Sequence, residues 1–273
     1  MEPRPEQLFH YQQQPQDQQQ QQQRQRPQTV VFMTRRPEQR PESDQVVVYV
    51  IDELTLQMFI RKVYLIAIIF ILSTSVTWLS IAASGFEFYP TIPVPFFVWL
   101  LPILPLILIL DCVPKIRYTF PWNWAITILI VILITFAGAC FMDQIEFLMV
   151  LLGVAISIVI VAAFYVCGAL CPQSFVPGML CTAVMSCLFL ITLFSIGIVL
   201  IFVKSPVLYL VFGILLLCMT VVIMPFHAQY IHGRLQVVPL FDVLHCSMTI
   251  YFHFIVTFSA LCIFEFYMKH KDD

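Results

Sequence analysis

From Phe147 to Val203 the chain contains no Asp, Glu, Lys or Arg. Within that stretch, Phe147 to about Val166 and Met179 to Val203 are each long enough to cross a bilayer core, which takes roughly 20 apolar residues in a helix. The turn through Pro172, Pro177 and Gly178 separates them. Composition extends the same reading to the whole chain. Of 273 residues, 60% are hydrophobic and only 11% charged, and mean hydropathy is +0.89, whereas about a quarter of a soluble domain is charged. The sequence therefore predicts an all-α integral membrane protein. Its 14 basic and 16 acidic residues create no overall field that would attract nucleic acid. The nine cysteines lie mostly in apolar runs without CxxC spacing, so they read as small buried hydrophobes rather than a disulfide framework.

Further spans follow in chain order. Residues 1–50 are rich in Gln and Pro, include the Gln18–Gln23 run, and hold too few apolar residues for a core. They read as a disordered cytosolic tail, with a docking arm for cytosolic partners as the secondary reading. No basic segment followed by an apolar one opens the chain, so no cleavable signal peptide is expected. Val46–Val50 is a short β-prone run, and Thr55–Arg61 leads into a first span from Val63 to Ala83. Ser73, Thr77, Ser80 and Ser84 share one face of that span, which suggests close helix packing through small residues, or a polar path.

A second span, about Val94 to Leu110, contains Pro102 and Pro105 and is expected to bend. Trp122 and Trp124 anchor a third, reaching about Met142. Ser205 and Pro206 open a sixth helix as cap and first residue, and Pro225 bends or ends it. Pro239 opens the seventh, so that the membrane domain covers residues 55–268. Alternating the spans puts Arg61, Lys62, Lys115, Arg117 and Arg234 on the side of the N-terminus, which predicts a cytosolic N-terminus.

Polar chemistry concentrates at the end of the chain, with five of the six histidines from residue 227 onward. Asp242, His245, Thr249 and His253 recur at three- and four-residue steps, one stripe on a helix. Ionisable groups at bilayer depth are costly and usually face a bundle interior, a partner or a water-filled path. An acidic residue just after Pro239 suits a helix N-terminus, so Asp242 reads first as a structural cap. Imidazole and carboxylate suit zinc, but His245 and His253 stand eight residues apart, roughly 12 Å along a helix, too far to share one ion. No metal site and no cofactor are expected. HExxH, GxSxG and Walker motifs are missing, so no catalytic residue is assigned and the chain is not read as an enzyme.

Several strings together resemble the Bax inhibitor motif family, in its Lifeguard (glutamate-receptor-associated) branch. They are Phe59-Ile-Arg-Lys-Val-Tyr64, Phe120-Pro-Trp-Asn123, and a sixth-to-seventh hairpin with Gln229 and Gly233 in its turn. The resemblance implies six helices around a central seventh, an endoplasmic reticulum or Golgi membrane, a calcium leak, and restraint of apoptosis. It also implies lipid, calcium as the permeant ion and apoptosis-regulatory membrane proteins as partners. In the family, two buried aspartates, one late in helix six and one in helix seven, form a pH-sensitive latch, since two carboxylates held close share a proton. Here the helix-six motif reads Phe226-His-Ala-Gln229 and the helix-seven stretch Cys246-Ser-Met-Thr249. His227 and Thr249 thus occupy the sensor-equivalent positions, with Asp242, His245 and His253 as the neighbouring polar stripe. The end of helix four, Val166-Cys-Gly-Ala-Leu-Cys171, also lacks the Lys and Asp usual in that branch. A non-conducting membrane regulator acting through partners is the alternative reading.

The orientation is testable by thiol accessibility in sealed vesicles. Val30→Cys is expected to label only from the cytosolic face and Phe88→Cys only from the opposite one; the reverse pattern contradicts it.

Overall fold

The computed structural model describes residues 31–33, 48–50, 53–86, 96–142, 145–172, 176–203, 205–235 and 239–269. Two strands, β1 (Val31–Met33) and β2 (Val48–Val50), pair antiparallel with Phe32 opposite Tyr49. β2 falls in the β-prone run, whereas β1 lies in the stretch read as lacking regular structure. The remainder of the tail lies outside the described residues. All other regular structure among the described residues is helical: α1 (Glu53–Ser84), α2 (Phe96–Leu100), α3 (Ile103–Cys112), α4 (Pro114–Tyr118), α5 (Trp122–Met142), α6 (Phe147–Leu170), α7 (Met179–Phe202), α8 (Pro206–Ile231) and α9 (Val243–Lys269).

Six of these, α1 and α5 to α9, are long and apolar enough to cross a membrane. A helix satisfies its own backbone polar groups, as a segment in hydrocarbon must. The expected second span is instead two short helices of five and ten residues on either side of Leu101 and Pro102. Proline supplies no backbone N–H and clashes with the preceding turn, so one continuous helix is replaced by a break. Pro105 sits in the first turn of α3, where the missing N–H costs nothing. Pro225 does not end its helix, because α8 continues to Ile231.

Helix α9 takes α8, α1, α6 and α5 as its principal neighbours. Tyr251 and Phe254 on α9 are completely buried. Polar atoms fix its register. Ser247 Oγ donates to the Val63 carbonyl at 2.9 Å, and Tyr251 Oη lies 3.0 Å from Thr74 Oγ1, which is 2.9 Å from Thr135 Oγ1. Trp78 Nε1 donates to the Thr135 carbonyl at 2.9 Å, so α1, α5 and α9 are joined at one level. Helix α7 packs on α8, leaving Leu188, Ile191 and Phe194 exposed, as a lipid-facing helix requires. The hydroxyls of Ser73, Thr77, Ser80 and Ser84 each return to a carbonyl of α1 itself. Ser73, Ser80 and Ser84 are exposed, so this face forms neither a helix contact nor an inner path.

Close approach of α6 to α8 depends on Gly168. A Cβ there would lie 2.5 Å from Pro225 Cα and 2.9 Å from Ala228 Cβ. Small residues let membrane helices approach closely in this way. Gly168→Ala is expected to lower stability in detergent by about 1–3 kcal/mol through overpacking. Gly197→Ala, with nothing within 4 Å, is expected to leave the melting temperature unchanged or raise it slightly; equal losses in both variants contradict this packing.

Candidate functional site

His227 on α8 faces His253 on α9, with ring centroids 5.2 Å apart and planes tilted by 32°. His253 is buried, and its Nδ1 lies 2.9 Å from Tyr165 Oη on α6. Either atom can donate, depending on the imidazole tautomer. Among the described residues, His227 Nδ1 is a buried polar atom without a hydrogen-bond partner. Thr249, the other sensor-equivalent position, is half-buried and donates its hydroxyl to the His245 carbonyl one turn back, at 3.0 Å. The side chain that meets His227 is therefore the one a turn beyond Thr249. The packing of α8 on α9 sets which residues face each other.

The polar stripe divides between two sites. Asp242 and His245 belong to a cluster at the start of α9. Arg117 donates Nε to Asp242 Oδ1 at 2.9 Å and Nη2 to Oδ2 at 3.0 Å, and Tyr118 Oη donates to Oδ2 at 3.1 Å. This two-pronged geometry is the strong form of a guanidinium–carboxylate pair. The Asp242 carbonyl accepts from the Cys246 N–H at 3.0 Å, so its backbone opens the helix while its carboxylate clamps α4. The Asp242 carboxylate, read from sequence as a helix cap, is bound by Arg117 and Tyr118. Asp111 Oδ1 lies 3.8 Å from Arg117 Nη1 and 3.4 Å from His245 Nδ1. Burial pulls the Arg117 guanidinium down, but the hydrogen bond and charge of Asp242 outweigh it, so its pKa is raised. Burial, with the charge of Asp242, pushes the Tyr118 phenol up.

The turn between α8 and α9 is fixed by three contacts. Gly233 takes a positive φ of 68°, the left-handed conformation that commonly ends a helix, and donates its N–H to the Tyr230 carbonyl at 3.2 Å. Buried Gln229 donates Nε2 to the Cys171 carbonyl at 3.2 Å, and Arg234 Nη1 donates to the same oxygen at 2.9 Å. His232 Nε2 lies 3.2 Å from Tyr64 Oη, and the Tyr64 ring meets Tyr165 edge to face at 6.1 Å.

The sequence singles out His227, Asp242, His245 and His253 but not the partners Arg117, Asp111 and Tyr165, nor the His232–Tyr64 contact. Arg117 and Asp111 marked only the water boundary in sequence, and the tyrosines sit in apolar runs where no periodicity distinguishes them. Among the described residues, no group of three or more His, Cys, Asp and Glu is placed to hold a metal ion. Comparisons with protein-family models, curated proteins and solved structures return no match for this chain.

His232 gives the site a pH dependence outside the membrane helices. Burial, with the charge of Arg234 beside it, lowers its pKa below the ordinary 6.5. As pH falls through about 6.5 the unfolded chain takes up this proton first, so stability falls on acidification. The unfolding midpoint is expected to drop between neutral and mildly acid pH, and less steeply in His232→Gln; an identical slope in that variant contradicts the assignment.

Proposed function

We propose that the chain is a multi-pass endomembrane protein of the Bax inhibitor/Lifeguard type, in endoplasmic reticulum or Golgi membrane with a cytosolic N-terminus. It leaks calcium and restrains apoptosis, with a histidine pair in place of the family's aspartate latch. Three features support this reading. The first is the set of sequence strings quoted above. The second is chain path: Ser247 near the start of α9 bonds Val63 near the start of α1, and Arg117 bonds Asp242 at that same end. The chain thus returns to its starting level between Ser84 and Arg117, through α2 and α3. On either side of the break α2 and α3 rise roughly 7 and 15 Å as helix, against the roughly 30 Å of a bilayer core. The broken pair accordingly serves as the second of seven crossings.

The third feature carries the proposal: His227 and His253 are two ionisable side chains from the last two helices, facing each other inside the bundle. Acid acts on such a pair with the sign opposite to that in an aspartate pair. Protonating a carboxylate removes negative charge, whereas protonating an imidazole adds positive charge that repels an approaching cation. In the observed conformation the bundle is closed beyond the pair by aromatic rings, with Trp78 stacked on Phe258 at 4.9 Å and Phe254 on Phe258 at 6.3 Å.

A second reading, a non-conducting regulator that acts through apoptosis-regulatory membrane proteins, draws on the same helices. Calcium favours charged oxygen ligands, yet α8 contains no carboxylate and α9 only Glu265, near its far end. Calcium flux through purified protein in liposomes separates the two. Flux is expected to be flat around neutral pH and to fall below the free imidazole value of about 6.5. In His227→Gln, which keeps a polar side chain but takes up no proton, the acid inhibition is expected to disappear. Acid activation, or identical curves for both proteins, contradicts the histidine gate; no flux above empty liposomes selects the non-conducting reading.

A further inference from the structure

The cysteines, which the sequence suggests are small buried hydrophobes, are mostly not buried. Cys140 and Cys246 are buried, Cys171 and Cys262 half-buried, and Cys112, Cys167, Cys181, Cys187 and Cys218 exposed, all as free cysteines. Core packing therefore does not account for the exposed ones, and their depth in the membrane decides what they can do. Cys187 and Cys218 fall well inside α7 and α8. Cys167 lies in the last turn of α6 and Cys171 just past its end. The Cys171 N–H donates to the Cys167 carbonyl at 2.8 Å, so helical spacing carries through and the two residues share one face.

Polar contacts fix the level of this pair. The Cys171 carbonyl accepts from Gln229 Nε2 at 3.2 Å and from Arg234 Nη1 at 2.9 Å, and Arg234 is exposed. A guanidinium near a helix end reaches for the water boundary. Cys171 thus stands at that boundary, with Cys167 four residues of helix, roughly 6 Å, below it. Toward the bundle, Gly168 is buried against Pro225 and Ala228 of α8. Toward lipid, Val166 and Leu170 are 58% and 72% exposed. Deeper along the Cys167 stripe come Ala163 and Val159, both exposed, short side chains that leave room for a hydrocarbon chain against the helix. Cys181, in the first turn of α7, and Cys112, closing α3, are exposed at the same end. At the opposite end, among the described residues, Cys140 is buried and Cys262 half-buried.

We propose that Cys167, with Cys171 one turn above it, is an S-acylation site that takes a long-chain fatty acyl group from an acyl-coenzyme A thioester. The inference rests on the proposed function in one respect, the cytosolic placement of this end. Thiols there stay reduced, and juxtamembrane cysteines are acceptors for reversible acylation. The cysteine sulfur attacks the thioester carbonyl carbon, the bond from that carbon to the coenzyme A sulfur breaks, and the cysteine proton leaves on coenzyme A as its thiol. One thioester replaces another, so no oxidant or reductant takes part. Hydrolysis returns the free cysteine and a fatty acid. Because the thiol opens outward, the chain joins the lipid beside α6 and the bundle keeps its packing.

The test uses full-length protein expressed in eukaryotic cells. Free thiols are blocked with a maleimide, thioesters are cleaved with neutral hydroxylamine, and the thiols so released are coupled to a polyethylene glycol maleimide that adds a mass step for each site. The native chain is expected to show a hydroxylamine-dependent step and to incorporate an alkynyl fatty acid fed to the cells. Both signals are expected to be lost or reduced in Cys167→Ser and further reduced when Cys171→Ser is added, with the melting temperature unchanged. Cys167→Ala repeats the loss if a serine hydroxyl disturbs the helix. Cys218→Ser, exposed in mid-span, is expected to keep the native pattern. No hydroxylamine-dependent step in the native chain, the native pattern in the double variant, or an equal loss in Cys218→Ser overturns the proposal. So does a step released by a thiol reductant instead of hydroxylamine, which marks a disulfide-linked adduct. Orientation is read separately from Val30→Cys and Phe88→Cys. Absent acylation with Val30→Cys labelled from the cytosol overturns the site alone, whereas labelling from the other face overturns the orientation beneath it.

Discussion

The seating of α9 is set by the penalty for leaving polar atoms unpaired in hydrocarbon, several kcal/mol for each group. Four residues tie it to its neighbours: Asp242, just before the helix, with Arg117, Ser247, whose hydroxyl reaches both the Val63 carbonyl and that of Val243 in α9 itself, Tyr251 with Thr74, and His253 with Tyr165. Thr249 and Thr257 meet that demand internally, through carbonyls of α9 itself. Partners of the first group lie on α4, α1 and α6. Because one residue of helix turns the chain by roughly 100°, a slip by a single position breaks all four ties. Apolar packing alone lacks this selectivity in lipid, where hydrocarbon surrounds both the right and the wrong register.

Arg117 and His253 illustrate two different uses of the same rule. Arg117 is a permanent charge held against a carboxylate at the boundary, and its service is mechanical: it ties the segment after the broken α2–α3 pair to the first turn of α9. His253 carries no fixed charge. It needs one hydrogen bond to remain buried, and Tyr165 supplies it. The second imidazole, His227, has none at Nδ1, so the α8–α9 contact contains one satisfied and one unsatisfied ring side by side. Ser75 Oγ, Trp99 Nε1 and Gln229 Oε1 are likewise buried without a partner among the described residues, but only at His227 does such an atom face a second imidazole.

Much of the helical layout was legible in one dimension. Phe147, Met179 and Pro206 begin helices where expected, because charges, prolines and a serine mark those boundaries in the sequence itself. Proline gave the least reliable guidance. Pro102 separates two helices, while Pro225 sits inside α8, its effect absorbed where Gly168 of α6 lets the backbones close together. The site was half legible. Histidines in apolar runs stand out, since burying them needs a reason, and His253 and Asp242 indeed have partners. Their partners do not stand out: Tyr165 is one aromatic residue in an apolar run and Arg117 one of several boundary charges until the helices that carry them are brought together. That His253 rather than Thr249 faces His227 was not legible either, since facing positions on two helices depend on their relative shift, which periodicity within each does not encode.

The contact between His227 and His253 is the point on which the proposed histidine gate and the sign of its pH response depend. Solid-state NMR of the full-length protein in lipid, with labelled histidine, measures it directly through ring-to-ring correlations. The account predicts a cross-peak between two imidazoles that vanishes in both His227→Gln and His253→Gln while the His253 Nδ1 signal keeps the mark of a hydrogen bond in His227→Gln. A spectrum without that cross-peak, or one in which it survives either substitution, contradicts the account.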